Sequence, residues 1–303
     1  MLVVCVVGWL SMSTSHANRQ DDSERRLWDT EFLKKRRAAT TATPSRPAPV
    51  YKPAPSPVPP APAPSRANEP SPPPAVSNDS RTGEVVGVTI WRLRQPTSSD
   101  LLESRLLIQE DAGTPAVEWT PERVEADTAF AEGERLRLGI ESPRDGYLYV
   151  IDREQYADGS TSDPYLIFPT LRMRGGDNSV SAGRLVELPD RSAFRLRGMR
   201  ADYRGELLTV IVAARPLTEV SAGPSAQRLN RALVEGWEKQ WGARVERFEL
   251  AGGAGRPYSR VEKQAGVEGR LLTQDDELPQ SIYHVIGSPG DPLVVSIPLR
   301  IAK

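Results

Sequence analysis

The residues most able to do chemistry gather around one predicted strand end. The stretch GYLYVIDREQYADGS (146–160) and the residues just after it carry Asp152, Glu154, Asp158 and Asp163. Their oxygens suit calcium, but an EF-type loop opening at Asp152 needs glycine at its sixth position, where Ala157 stands. Asp152 and Glu154 are two apart, so on an extended strand they share a face and could serve as acid and base on a glycosidic bond. The plainer reading is that Asp158-Gly159 forms a turn and the charges keep it in water. The spacing thus predicts a loop after Asp152 rather than an active site.

A second group lies in LRMRGGDNS (171–179), where Arg172 and Arg174 neighbour Asp177 and Asn178. With Tyr156 and Tyr165 nearby in sequence, these residues form the expected binding rim, because recognition usually sits on loops held by a rigid scaffold. The chain has two histidines, His16 and His284, and a single cysteine, Cys5. Loss of an amino-terminal signal would leave His284, within SIYHVIG, with no cysteine beside it. Zinc sites of the His/Cys type and Cys–His nucleophiles then drop out. No G-x-S-x-G elbow occurs, and AGGAGRP (251–257) lacks the G-K-[ST] of a phosphate loop and reads as a flexible connection. No catalytic residue, metal ligand or cofactor is expected.

The elements that must position these residues fall late in the chain. MLVVCVVGWLSMSTSHA has an apolar run and a small-x-small site, Ser15-His16-Ala17, which reads as a secretory signal over residues 1–17. Cys5 within it faintly resembles a lipidation site, a minor reading beside Sec-type cleavage. Residues 18–43 are charged, and Leu27, Trp28 and Phe32 could line one side of a short helix, or of a peptide that folds on a partner. Residues 44–79 form a proline-rich, disordered spacer; Pro44 to Pro74 hold 14 of the chain's 28 prolines, and proline favours extended backbone over packed elements. Lys plus Arg (39) nearly balance Asp plus Glu (40), so no net field draws the protein to nucleic acid.

From residue 80 to 303 the pattern is strands and turns. In ERLRLGIE, Leu136, Leu138 and Ile140 are expected inward, with Arg135, Arg137 and Glu141 facing water. YLYVI and LLTVIV do not alternate and should be central, covered on both faces. Leu293, Val295, Ile297, Leu299 and Ile301 share a face, and Pro298 points to an edge. One helix interrupts the strands: Ser225 as cap, an apolar stripe of Leu229, Leu233, Trp237 and Trp241, and Gly242 as stop. The fold class is mainly β, an antiparallel sandwich, immunoglobulin-like in general architecture, with one amphipathic helix.

The run LRLGIESPRDGYLYVIDREQYADGS, with PYLIFPT, DNSVSAGRLVELP and GELLTVIVAA, resembles the bacterial family known as domain of unknown function 4384. The resemblance covers roughly 128–216 and rests on Gly146 to Ile151, Phe168-Pro169, Asn178, Ala182-Gly183, Leu188-Pro189 and Gly205-Glu206. Flanks such as WTPERVE and the Trp-rich helix look like those of exported acidobacterial members. The family implies a β-rich exported module and no catalytic residue. Taken together, the sequence predicts a bacterial periplasmic or extracellular, non-catalytic module. Its expected partner is a cell-envelope protein or glycan, with no nucleic acid and no membrane span after signal removal. An envelope glycan hydrolase using the loop carboxylates is the alternative.

Overall fold

The computed structural model describes Leu33, Arg36 and residues 82–109 and 114–302. The signal segment with Cys5, the spacer 44–79 and the helix expected around Leu27, Trp28 and Phe32 lie outside the described residues.

In chain order the strands are β1 (Thr82–Arg94), β2 (Leu106–Ile108), β3 (Val117–Val124), β4 (Ala129–Phe130), β5 (Arg135–Glu141), β6 (Gly146–Tyr156), β7 (Tyr165–Phe168) and β8 (Ser179–Val180). After them come β9 (Leu185–Leu188), β10 (Phe194–Arg195), β11 (Tyr203–Ala213), β12 (Gln227–Arg228), α1 (Arg231–Gln240), β13 (Arg244–Glu249), α2 (Arg260–Glu268), β14 (Ser281–Gly287) and β15 (Leu293–Ile301). They build two sheets. One has the central order β10-β5-β1-β14-β13, with β3 and β9 on flanking edges; the other runs β12-β7-β6-β11-β15-β4. Pairing is antiparallel except between β15 and β4. No described helix is long and apolar enough to cross a membrane.

Alternation explains the core. Val86, Val88 and Ile90 of β1, with Leu136, Leu138 and Ile140 of β5, meet Leu148, Val150, Leu208, Val210 and Val212 of the second sheet. Leu293, Val295, Ile297 and Leu299 join them, as their shared parity predicts. The opposite face of β6 and β11, through Tyr149, Ile151, Ile211 and Ala213, packs on Val234 and Trp237 of α1. Both faces of these two strands are therefore dry, which is why their sequences do not alternate.

Several expectations need correction. Arg137 and Glu141 are buried rather than facing water. The outer face of the first sheet is covered by the segment around α2, which strand periodicity cannot reveal. There are two α-helices among the described residues, not one. α1 begins five residues later than Ser225 suggests, capped by Asn230, whose side chain accepts from the N–H of Ala232. Gln227–Arg228 instead pairs with β7. The 251–257 loop is zipped onto β3, with Gly255 N–H donating to the Arg123 carbonyl and Arg123 N–H to that of Arg256.

Candidate functional site

β6 continues through Asp152, Arg153, Glu154 and Gln155 to Tyr156, so the charged run is strand, not loop. The turn falls where expected, at Asp158-Gly159: Gly159 has φ +80° and Asp158 Oδ1 accepts from Ser160 N at 2.9 Å. Because Leu148 and Val150 point into the sandwich, Asp152 and Glu154 follow them on the same face and line its far end. There they meet Glu206 of β11, which is directly opposite Glu154 in register.

Glu206 keeps the alternation of Leu208 and Val210, and the phenol that meets it arrives by a break in register. Regular alternation would place Tyr203 and Glu206 on opposite faces, but the pairing slips between Tyr203 and Gly205, a bulge with Gly205 at φ +135°. Both side chains then turn inward, and Tyr203 Oη donates to Glu206 Oε1 at 2.6 Å. Asp152, two residues before Glu154 on β6, neighbours Glu206, and the charge of each acts on the other. Asp152 Oδ1 and Glu206 Oε2 are buried and receive no donor, and a proton shared between the two carboxyls would satisfy both. Burial, then mutual charge, pushes Glu206 up to about 9; burial likewise pushes Asp152 up, to about 6. Glu154 closes the cluster, accepting from Tyr156 Oη at 3.0 Å and from Met199 N at 3.1 Å. Arg200 lies over the Tyr156 ring, 4.0 Å from its centroid. Among the described residues, no group of three or more His, Cys, Asp and Glu is arranged to hold a metal ion.

The other predicted residues are scattered. Asp163 is paired with Arg228 at 2.5 Å, and Asp158 lies 3.5 Å from Arg200, so neither joins the cluster. Asn178 is structural: its Nδ2 donates to the Leu148 carbonyl, and its own carbonyl accepts from Leu148 N. Asp177 caps Ser179, whose N donates to Oδ1 at 2.9 Å. Since Asn178 sits beside Leu148, Glu154 is about 20 Å further along β6. The rim expected from Arg172, Arg174, Asp177, Asn178, Tyr156 and Tyr165 is thus not assembled: the loop residues are at one end of β6, while Tyr156 and the half-exposed Tyr165, which pairs opposite Asp152, are at the other. His284 is half-buried on β14, its Nδ1 3.6 Å from Glu246.

Arg174 instead lines a groove of about 460 Å³ with Arg184, Arg191, Asp190, the buried Glu187 and the turn after α2. Arg184 and Arg191 are exposed and have no ion-pair or hydrogen-bond partner among the described side chains. Glu187 is committed beneath them to Arg137 at 3.1 Å and to the Tyr258 hydroxyl. Nothing in the spacing of Arg174, Arg184 and Arg191 announces their convergence, because it depends on α2 closing the far wall.

No family model matches this chain, nor does any curated protein or solved structure.

Proposed function

We propose that the chain is a non-catalytic, exported β-sandwich module that binds an anionic cell-envelope partner in the arginine groove. The observation that carries this reading is the groove itself: three arginines line one concavity, and two of them are exposed with no ion-pair partner among the described side chains. Guanidinium forks recognise carboxylate and phosphate in a bidentate geometry, which gives such a groove a clear ligand chemistry. The proline-rich spacer suits a module held away from its anchor, and the likeness to the 4384 family is in keeping with an exported module without an assigned activity.

The test is co-sedimentation of the mature full chain with purified peptidoglycan sacculi across a salt series. Binding should weaken with salt and fall on the order of tenfold or more in Arg184→Glu/Arg191→Glu. Sedimentation unchanged in that variant overturns the groove as the site.

A second reading, an envelope glycan hydrolase, is favoured by one observation: Asp152, Glu154 and Glu206 share one face at the end of the sandwich, where burial raises the proton affinities of Asp152 and Glu206. Release of reducing ends from sacculi, abolished by Glu206→Gln, would establish it in place of the binding reading.

A further inference from the structure

Arg36 is almost wholly buried although it belongs to the charged segment ahead of the spacer. Its guanidinium forks onto Glu141, Nε to Oε1 at 2.8 Å and Nη2 to Oε2 at 2.6 Å, 105 residues away along the chain. Its remaining N–H groups reach the carbonyls of Asp276 at 2.9 Å, Glu277 at 3.2 Å and Thr273 at 3.4 Å. A planar cation with five donors is therefore matched by acceptors on every side, which a lysine ammonium would not satisfy. Leu33, one turn earlier, packs beside Val85 and Ile282, and its carbonyl accepts from Gln274.

The receiving surface is built without Arg36. Asp276 takes two bonds from Arg270, at 2.5 and 2.8 Å, and accepts from Thr273 N, so the 273–277 turn and its carbonyls are held by their own contacts. Glu141 is fixed in β5 between β1 and β9. Arg123, the other arginine lining this cavity, is committed to Glu262 and to the Leu278 carbonyl. Removing Arg36 would leave a buried carboxylate near Asp276 with no cation assigned to it, which makes the empty pocket avid for a guanidinium.

We propose that this cavity is an arginine-recognition site whose ligand is a peptide of the form apolar-x-x-Arg, filled in this chain by Leu33 and Arg36 as a displaceable latch. It is distinct from the arginine groove and of opposite charge. Residues 37–81 connect the latch to β1, and neither Leu33 nor Arg36 belongs to a strand of the sandwich, so its release breaks no strand pairing. While latched, Leu33 and Arg36 fill the pocket and close it to other arginine peptides.

The experiment uses full-length chain and a fluorescein-labelled peptide of residues 25–41. Arg36→Ala should bind the peptide at least about tenfold more tightly than wild type, and Glu141→Gln in the Arg36→Ala background should abolish that gain. A peptide with Lys at the position of Arg36 should not bind. If Arg36→Ala does not fold alone, its refolding yield with the Arg peptide, and not with the Lys peptide, reads the same contact. Equal binding to wild type and Arg36→Ala, indifference to Glu141→Gln, or equal action of the two peptides overturns the proposal.

Discussion

Replacing Glu206 with Gln tests the shared proton directly. In the folded chain Glu206 is raised from an ordinary value of 4.5 to about 9. A carboxyl raised on folding stabilises the fold fully below its unfolded pKa, and that stabilisation drains away as pH climbs through the folded value. The window is therefore roughly pH 4.5 to 9, with the Asp152 share lost earlier, by about pH 6. At 1.36 kcal/mol per pH unit the whole displacement would correspond to on the order of 6 kcal/mol. Water reaches the cluster past Glu154 and Tyr156, which are half-exposed, and screening there brings the expected loss to about 2–3 kcal/mol. For a domain of this size that is a fall in Tm of about 5–10 °C between pH 5 and pH 9. Gln keeps a donor toward Asp152 without a titrating proton, so melts followed by far-UV circular dichroism at pH 5, 7 and 9 should show a much flatter profile in the variant. Parallel pH profiles for wild type and Glu206→Gln would refute the shared proton.

Two further substitutions probe what positions the cluster and covers the sheet. A Cβ on Gly205 would lie 1.9 Å from the Leu299 carbonyl oxygen at φ +135°, so Gly205→Ala should cost about 3 kcal/mol or more in urea unfolding, and a cost under about 0.5 kcal/mol would mean the β11–β15 pairing relaxes freely. Trp237 is buried under α1 and stacked on Trp241, with ring centroids 5.6 Å apart, so Trp237→Ala should lower stability by about 3–5 kcal/mol by the same assay, and the half-exposed Trp241→Ala by distinctly less.

Local patterning carried the architecture well. Leu136, Leu138 and Ile140 alternate because one face of β5 is core, and Leu233, Trp237 and Trp241 repeat at helical spacing because one side of α1 meets the sheet. What escaped depends on distant segments. Arg137 and Glu141 look like solvent-facing residues until α2 and the 273–277 turn are laid across them. α2 itself has a legible signal, a capping box in which Ser259 and Glu262 bond reciprocally, but its short, weakly amphipathic body follows a glycine-rich loop and carries little helical periodicity. Asp152 and Glu154 were visible as a same-face pair. Their partner Glu206 was not, because it comes from β11, far along the chain, and meets them only through strand pairing.

A strand turns a side chain over by gaining or losing one residue rather than by exchanging it. Loss of Arg204 alone would remove the bulge and leave Tyr203 two positions from Glu206, still on its face, whereas loss of Leu207 would set Glu206 beside Leu208 and turn it to the opposite face, away from Asp152. The chemistry at this end of the sandwich thus depends on chain length as well as on residue type: one residue gained or lost between Glu206 and Leu208 removes a carboxyl from the cluster without exchanging any acid.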